Sequence, residues 1–337
     1  MRKNLLVTLA NKDYVQQAKQ LFSSAYFNAG WDGDFMLLAY DIPEKDLHWF
    51  RKKNILVKKC KPIYPKRKIK KLYEKSALSD DYSFSFYETA ITKFYLFTPE
   101  FKKWRVIIYL DSDIIVRASL DNLKKIKGFA AVRDSLYNLK SFFKESRSNS
   151  LYNRLKDNYN LHETVFNSGF FVFNTRIIKK KTFSQIVKLF EQYNSVSIYA
   201  DQSALNLFFY KNWTRLPSIY NLCPPYLFRY NNIFGRLFNI GVRCVILHSA
   251  SCPKFWHKDC VFFKEWKNNL EKAEQIGIKK PNVRRLTKVR IVFYYLAYLV
   301  YRSFFFLVPI DRFLGLIGIF LKKNFPGIYS FIKKIKD

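Results

Sequence analysis

The sequence predicts an α/β fold organised around a parallel sheet, followed by a basic helical tail. Short apolar segments alternate with amphipathic ones over the first part of the chain, which indicates a strand–helix–strand–helix–strand unit. Residues 106–110 then form an uninterrupted run of branched and aromatic apolar side chains, as expected for an inner strand buried on both faces. Beyond Pro281 the apolar stretches are interrupted by basic residues. Because the chain has no G-x-G-x-x-G and no Walker A motif, a Rossmann dehydrogenase or P-loop enzyme is disfavoured.

The first unit contains strands and helices that alternate along the chain. The strands are predicted at 4–10, 35–40 and 55–60, and the helices at 14–28 and 43–53. Asp13 is expected to cap the first helix, with Gln16 at the third helical position. The lysine-rich segment 62–81 contains Pro62 and Pro65, so a loop is predicted there. A unit of this kind predicts a nucleotide-sized crevice at the carboxyl edge of the sheet.

The middle of the chain extends the sheet and adds further helices. Strands are predicted at 104–116, 129–133, 166–173, 213–220 and 244–247, and helices at 85–97, 177–193 and 201–209. Asp201 is expected to cap the last of these helices. The segment 135–163 is polar and aromatic, which favours short helices around a substrate opening.

Composition restricts the partners and the compartment. The chain has 337 residues, with 59 Lys and Arg against 26 Asp and Glu, and this net charge of +33 favours polyanionic partners. Much of the excess lies in two blocks, 51–75 and 279–337, although either block could simply be a solvated face. The five cysteines are odd in number and form no C-x-x-C pair, which favours reduced thiols in the cytoplasm. The apolar run 5–10 is too short for the core of a signal peptide.

The tail at 279–337 is predicted to be separate from a domain at 1–278. Its apolar segments are short and have basic residues at their edges, which favours helices that lie on an anionic membrane surface. A helix pair packed on the domain is the main alternative. A spanning helix is less favoured, because Arg302 lies inside the most apolar window, 291–310.

A carboxylate pair ends the predicted inner strand. Asp111 and Asp113 flank Ser112, and residues at i and i+2 of an extended backbone point the same way. Hard carboxylate oxygens at the carboxyl end of such a strand suit Mg²⁺ or Mn²⁺, and a cation held there typically bridges to substrate phosphates. A solvated turn is the equally simple alternative for these three residues.

Other polar groups favour the metal site over the turn. His248 follows another predicted strand, and an imidazole beside two carboxylates favours Mn²⁺ over Mg²⁺. Lys254, six residues later, has the charge to bind a diphosphate oxygen. Small hydrogen-bonding groups at Asn167-Ser168-Gly169 and a carboxylate and amide at Asp201-Gln202 are expected at the same crevice.

These motifs resemble those of glycosyltransferase family 8, which includes glycogenin and bacterial lipopolysaccharide galactosyl- and glucosyltransferases. The shared features are D-S-D after an apolar strand, FNSGFFVFN, ADQSALN and an H-x₅-K-x-W tail, in the family's order. VTLANKDY near the amino terminus and TKF at 92–94 are also similar, so the resemblance covers roughly residues 4–260. It implies a GT-A fold with a mixed, mainly parallel central sheet, a UDP-sugar donor, a glycan or lipid-linked acceptor, and retention at the anomeric carbon.

The resemblance also implies a role for each matching residue. Mn²⁺ (or Mg²⁺) would be held by Asp111, Asp113 and His248. The uracil end of the donor would contact Leu9, Asn11 and Tyr14, the ribose Ser112, and the diphosphate Lys254. The donor sugar would be surrounded by Lys93, Asp134, Asn167, Ser168, Asp201 and Gln202. Because no carboxylate is evidently placed as a nucleophile, front-face transfer assisted by Gln202 is favoured, with Asp201 as the rival for a covalent role.

Three alternatives follow from other features of the sequence. The tail motif has Ser251 and Phe255 where the family has Gly and Pro, which suggests a protein that kept the fold but lost activity. The net charge also permits a nucleic-acid-binding protein, but the basic blocks lack an interleaved stacking motif. A structural zinc site is the third alternative, although the spacing fits no standard pattern; its ligands would come from Cys244, His248, Cys252, His257 and Cys260.

Overall fold

The structure is a computed structural model. It describes residues 3–281 except 81, 226–227, 233–234, 237–238, 240–242 and 251, and, beyond them, 283, 287, 289–294, 296 and 327. The strands are β1 (Leu5–Ala10), β2 (Asp34–Tyr40), β3 (Leu56–Cys60), β4 (Val106–Leu110), β5 (Ile114–Val116), β6 (Phe129–Asn138), β7 (Thr164–Asn174), β8 (Thr214–Leu216) and β9 (Ile246–His248). The helices are α1 (Val15–Ala29), α2 (Glu44–Lys52), α3 (Lys66–Lys75), α4 (Phe84–Ile91), α5 (Asn149–Asn158), α6 (Thr182–Tyr193), α7 (Ala200–Phe208) and α8 (Phe263–Glu271).

The central sheet has the strand order β3-β2-β1-β4-β7-β6-β8. Only β7 of these strands runs opposite to the others, because it pairs antiparallel with both β4 and β6. The prediction of a mixed, mainly parallel sheet is therefore confirmed. The strand order reverses between β1 and β4, so the carboxyl ends of these two strands border the crevice in which such sheets bind ligands. Asn11 and Asp111 are the residues that follow β1 and β4.

Two core layers cover the faces of the sheet. Alternate strand residues point to opposite faces, so Leu6 and Ile108 pack toward α1 and α2, whereas Val7 and Ile107 pack toward α4 and α6. The α1 layer also contains α8 and a second, two-stranded sheet of β5 and β9. A smaller apolar cluster surrounds α5. The predicted strand 104–116 is therefore divided between two sheets, β4 in the central one and β5 in the small one.

The predicted loop at 62–81 was wrong in its middle. α3 occupies Lys66–Lys75, because Pro65 stands at its amino-terminal cap, where proline is tolerated. Ile69 is buried and Leu72 and Tyr73 are half-buried in the core layer of α4, at the spacing of one helical face. The two prolines thus mark the entry to a helix rather than a continuous loop.

Two predicted helix caps were also wrong. A 3-10 turn, Lys12–Tyr14, precedes α1, and the Asn11 side chain accepts from the backbone N–H of Asp13, so Asp13 does not cap α1. Tyr199 holds the cap position of α7, without a side-chain bond, and Asp201 lies inside the first turn. Two strands differ in length from the prediction. β6 is longer than 129–133, because it continues along β7 with an irregular register. β8 is shorter than 213–220, because a 3-10 helix follows it.

Most of the tail predicted at 279–337 lies outside the described residues. Residues 289–294 are helical, and Ile291 and Tyr294 pack against the α1 core layer. Val292 and Phe293, on the face of this helix that points away from the α1 core layer, are more than half exposed. Within the described part of the chain no helix has both the length and the apolar character needed to cross a membrane.

Candidate active site

The two aspartates and His248 converge because two sheets meet at the carboxyl end of β4. Asp111 is anchored by its backbone N–H, which donates to Gly169 O over 2.8 Å. β5 begins directly after Asp113, and its antiparallel pairing with β9 places Ile114 opposite His248. Ligand atoms of Asp111, Asp113 and His248 consequently lie within 4.8 Å of one another. Among the described residues no other group of His, Cys, Asp and Glu side chains is so arranged.

Gly169 makes this convergence possible. A Cβ atom at this position would lie 2.3 Å from His248 Cε1 and 2.8 Å from Asp111 Oδ2, closer than any real side chain tolerates. The glycine therefore lets the backbone of β7 pass directly beside Asp111 and His248. Two hard carboxylates with one imidazole suit a divalent cation such as Mn²⁺, and the space kept clear by Gly169 is where their ligand atoms meet.

Asp113 is paired with two cationic partners. His248 Nε2 lies 3.2 Å from Asp113 Oδ1, and Lys254 Nζ donates to Asp113 Oδ2 over 2.5 Å. Burial alone would raise the pKa of Asp113, but Lys254 and His248 outweigh it and hold that pKa well below its usual range. The converse holds for His248: burial opposes protonation, yet Asp113 and Cys223 raise its pKa to about 10. The two cations thus compensate the Asp113 charge.

Lys93 forms the second charged centre of the site. It is only 3% exposed, donates to Asp201 Oδ2 over 2.6 Å and lies 3.3 Å from Asp111 Oδ1. It also donates to the backbone carbonyl of Ser168 and lies over the ring of Tyr109. Burial lowers the pKa of Lys93, but the two carboxylates outweigh it and keep the ammonium charged. Asp201 is therefore a partner of a buried cation, not a helix cap.

A network of amides joins the two charged centres. Gln202 Oε1 accepts from the backbone N–H of Ser168 over 2.9 Å and from Asn167 Nδ2 over 3.3 Å. Asn167 Oδ1 in turn accepts from Asn221 Nδ2 over 3.0 Å. The Asn221 Oδ1 atom lies 3.0 Å from His248 Nδ1, which completes a path from the helix α7 to the histidine. The Ser168 hydroxyl donates to Asp201 Oδ2 over 2.7 Å.

Tyr109, Asn221 and Cys223 join the site without having been predicted from the sequence. The Tyr109 hydroxyl donates to Asp111 Oδ1 over 2.6 Å. Cys223 Sγ lies 3.6 Å from His248 Nδ1, beside Asn221. Tyr109 belongs to the apolar strand β4, where its ring predicted only core packing. Asn221 and Cys223 follow a 3-10 helix that has no motif of its own.

The remaining predicted residues lie around this centre at varying depth. Ser112 is buried between the aspartates. Tyr14 stacks edge-to-face on Trp256 with ring centroids 5.7 Å apart. Burial raises the pKa of Tyr14, and the charges of Lys254, Asp113 and Asp111 also act on it. The Asn11 amide lies 3.5 Å from hydroxyls of α4. The Leu9 side chain is buried in the α4 core layer, and Asp134 lies in the irregular part of β6 near Tyr199.

The zinc alternative loses its support among the described residues. Of the proposed zinc ligands, Cys244 is buried and contacts Arg117, whereas His248 is directed to Asp113. Ser251, at the altered position of the tail motif, lies outside the described residues. Lys254 nevertheless reaches the carboxylate pair, and Phe255 is buried in the core.

Comparisons with known proteins agree with this geometry. The model of glycosyl transferase family 8 matches residues 5–260. Similar curated proteins are the glycosyltransferase GlyB of Streptococcus pneumoniae serotype 4, 33% identical over 39% of this chain and 28% of its own length, and galactinol synthase 4 of Arabidopsis thaliana, 25% identical over 56% and 55%. The chain thus spans about a quarter to a half of these two relatives.

The fold is likewise similar to that of solved glycosyltransferases. The galactosyltransferase LgtC, in complex with donor and acceptor sugar analogues, superposes with a TM-score of 0.55 and 19% identity, over 82% of this chain and 98% of that one. The glycosyltransferase GlyE of Streptococcus pneumoniae gives a TM-score of 0.52 and 19% identity, over 85% and 68%. The predicted GT-A fold is confirmed.

Proposed function

The chain belongs to glycosyl transferase family 8, and from that membership we propose that it transfers a hexose from a UDP-sugar to a glycan or lipid-linked acceptor with retention at the anomeric carbon. Glucose and galactose are the hexoses we favour. One observation carries the proposal: the ligand atoms of Asp111, Asp113 and His248 converge within 4.8 Å, directly beside the Lys93–Asp201 pair. This arrangement provides a cation site for a diphosphate next to a polar site for a sugar.

Asp111, Asp113 and His248 are the residues that would hold the cation, with Mn²⁺ favoured over Mg²⁺ by the imidazole ligand. When bound, the cation supplies Lewis-acid stabilisation of the charge that develops on the departing diphosphate. Lys254 adds a second positive charge at the same place. Its Nζ donates to Asp113 Oδ2, and we infer that it turns to a diphosphate oxygen when the donor binds.

The donor sugar would lie against the polar groups of β7 and α7. Asn167 and Ser168 present small hydrogen-bonding groups, and Lys93 holds the Asp111 and Asp201 carboxylates in place. The Asp201 carboxylate already accepts from both Lys93 and Ser168, which weakens it as a covalent nucleophile. This supports front-face transfer, in which Gln202 stabilises the oxocarbenium-like centre.

The nucleoside would lie over the carboxyl end of β1. Asn11 and Tyr14 are proposed for the uracil end together with the backbone at Leu9, because the Leu9 side chain is buried. Ser112 is proposed for the ribose. Asp134 is proposed for the outer side of the donor sugar, since it lies in β6 near Tyr199, which precedes α7.

The proposal includes a peripheral location on the cytoplasmic face of a membrane, through a tail at 279–337 that follows a catalytic domain at 1–278. Its support is the helical segment 289–294 together with Leu296. Four side chains there are apolar and more than half exposed: Val289, Val292, Phe293 and Leu296. Replacing these four residues by serine should release the protein from anionic phosphatidylglycerol vesicles. Unchanged vesicle binding by that variant would contradict the proposed role of the segment.

Hydrolysis of the donor tests the catalytic proposal without knowledge of the acceptor. Purified protein with Mn²⁺ should slowly hydrolyse a UDP-hexose, and a panel of UDP-sugars would identify the hexose. Asp113→Asn should abolish the hydrolysis, whereas Asp157→Asn, at an exposed aspartate of α5, should not change it. Activity that survives both EDTA and Asp113→Asn would contradict the metal site.

Two other outcomes would favour the alternatives. Binding of UDP and Mn²⁺ without any hydrolysis or transfer would indicate a protein that kept the fold and lost activity. Salt-sensitive binding of DNA or RNA by a protein with no activity on any UDP-sugar would indicate a nucleic-acid-binding protein.

A further inference from the structure

The helix α3 presents a basic face to solvent. Five of its six exposed cations are at positions i, i+1, i+4, i+5 and i+9, which lie on one half of an α-helix: Lys66, Arg67, Lys70, Lys71 and Lys75. The sixth, Lys68, lies outside this half and pairs with Glu191 at 2.6 Å. Of these five, only Lys70 has a carboxylate partner among the described residues, Glu74 at 3.9 Å. The fully buried side chain of α3, Ile69, is on the other half of the helix. Apart from Lys70 and from Lys66, whose charge acts on Glu88, the cations of the basic face therefore have no carboxylate near them among the described residues.

An exposed pair of aromatic rings lies beside this face. Tyr82 and Phe86 stack on each other with centroids 4.8 Å apart, although 40% and 45% of their surfaces are exposed. The Tyr73 hydroxyl of α3 donates to the backbone carbonyl of Tyr82, which connects the pair to the helix. An exposed stacked pair offers an apolar surface on which another molecule can pack.

The aromatic pair borders the proposed active site, and α3 with its basic face packs beside this pair. α4 carries Phe86, and the hydroxyls of its residues Ser85 and Thr89 lie 3.5 Å from the Asn11 amide at the end of β1. On the other side, Tyr82 influences the pKa of Tyr199, the residue before α7 and two positions before Asp201. The surface thus lies between the proposed nucleoside end and the proposed sugar end of the cleft.

We propose that this surface binds the acceptor, and that the acceptor is a glycan carrying phosphate or other anionic groups. This inference rests on the proposed function, since it assigns the second substrate of the same site. The exposed rings offer apolar faces on which sugar rings stack, and the cations of α3 bind the anionic groups. The basic face and the rings together fit an anionic glycan better than either a neutral sugar or a free anion.

The position of α3 favours a glycan over a membrane surface. α3 and α4 pack on one face of the central sheet, whereas the helical segment 289–294 packs on the opposite face with α1 and α8. A protein that contacts a membrane through the exposed apolar residues of that segment would direct α3 away from the bilayer. The basic face is then available to a chain that extends into solution.

Binding of phosphorylated dextran, compared with unmodified dextran of equal length, tests the inference. We expect the fourfold variant Lys66→Gln, Arg67→Gln, Lys70→Gln, Lys71→Gln to bind phosphorylated dextran about tenfold more weakly than the unchanged protein. The matched control removes four exposed cations from the opposite face, on α2 and α8: Lys45→Gln, Lys52→Gln, Lys264→Gln and Lys267→Gln. This control should bind phosphorylated dextran normally. Thermal unfolding of both variants verifies that they are folded.

The aromatic pair has its own variant, Tyr82→Ser with Phe86→Ser, which should weaken binding of phosphorylated dextran about fivefold. Equal loss in the α2/α8 control would overturn the inference, because the general positive field would then explain binding. Loss of phosphatidylglycerol-vesicle binding by the α3 variant, with dextran binding intact, would overturn it in favour of a membrane surface. Normal binding by the aromatic variant would overturn the role of the rings.

Hydrolysis of the UDP-hexose by the unchanged protein separates this inference from the proposed function. If hydrolysis is observed and the α3 variant binds phosphorylated dextran normally, the acceptor assignment fails alone. If no UDP-sugar is hydrolysed under any metal condition, the proposed function fails, whatever the dextran measurements give.

Discussion

The metal floor and the basic rim of the cleft differ in exposure and in how their charges are used. We define the metal floor as Lys93, Asp111, Asp113, Asp201, His248 and Lys254. We define the basic rim as Tyr82 and Phe86 together with the five cations of the basic face of α3: Lys66, Arg67, Lys70, Lys71 and Lys75. In the floor each cation contacts at least one carboxylate, and Lys93 contacts two. In the rim only Lys70 has a carboxylate partner among the described residues.

The difference in burial and pairing determines where a single substitution has a large effect. A buried charge that loses its partner keeps the full cost of its burial, so each member of the floor depends on the others. An exposed charge is solvated in any case, and its loss changes little by itself. The rim can therefore act only through the sum of several residues, whereas the floor should fail when one residue is changed.

Gly169→Ala should have the largest effect on activity among the substitutions that leave every charged side chain of the metal floor in place. The new Cβ would need the space taken by His248 Cε1 and Asp111 Oδ2, so both ligands must move. We expect donor hydrolysis to fall by about a thousandfold, because cation binding and alignment are lost together. Steady-state hydrolysis of the UDP-hexose with saturating Mn²⁺ measures the effect.

Gly128→Ala is the matched control for this substitution, because no atom lies within 4 Å of a Cβ built there. Its hydrolysis rate should equal that of the unchanged protein. If Gly169→Ala also kept most of its activity, the floor would be more adaptable than its packing indicates, and the contrast with the rim would fail.

Lys93→Met should have the largest effect on stability. It removes the buried cation that lies between Asp111 and Asp201 and leaves both carboxylates without it. We expect the free energy of unfolding to fall by about 3 kcal/mol, measured by urea denaturation at neutral pH. Lys156→Met, which breaks an exposed pair with Glu145, should cost no more than about 1 kcal/mol. Equal losses in the two variants would contradict the contrast.

The sequence predicted the floor better than the rim, and the reason is physical. Asp111 and Asp113 directly follow a strand whose apolar run is unmistakable, so their place in the fold follows from local pattern alone. α3 was missed because the lysines and the two prolines suggested a loop, whereas a single helical stripe around Ile69 was enough to dock it. In α3, tertiary packing therefore overrode the local preference for a loop.

Other features depended on contacts that no local pattern contains. Asp201 was expected to cap α7, because Asp is common at that position. Its carboxylate instead pairs with the buried Lys93, more than a hundred residues earlier in the chain. Asn221 reaches His248 only because the segment after β8 runs alongside β9. Such long-range partners are fixed by the strand order, which the sequence pattern does not specify.

Binding of the cation should depend strongly on pH. The pKa of His248 is raised to about 10 by Asp113 and Cys223, against the effect of burial, so the imidazole is protonated in the metal-free protein at pH 8. A cation binds only the neutral imidazole, so its binding must release that proton. We expect Mn²⁺ affinity to rise about tenfold per pH unit between pH 7 and 9, because one proton is exchanged.

Calorimetric titration of Mn²⁺ at pH 8 in two buffers of different ionisation enthalpy measures the released proton directly. About one proton should be released per cation bound, whereas a histidine with its ordinary pKa near 6.5 would release almost none. A result near zero would mean that Asp113 and His248 are not an ion pair without metal, and the floor would then be less tightly coupled than proposed.

Lys71→Gln should have the smallest effect on stability and on ligand binding of all these substitutions. Lys71 is a cation, like Lys93, but it is exposed and has no carboxylate partner among the described residues. We expect unfolding to be unchanged and the affinity for phosphorylated dextran to fall no more than about threefold, measured beside the fourfold α3 variant. A tenfold loss from this one residue would show that Lys71 is held in a specific pair with the ligand. The rim would then act through a fixed contact, as the floor does, and not through the sum of its charges.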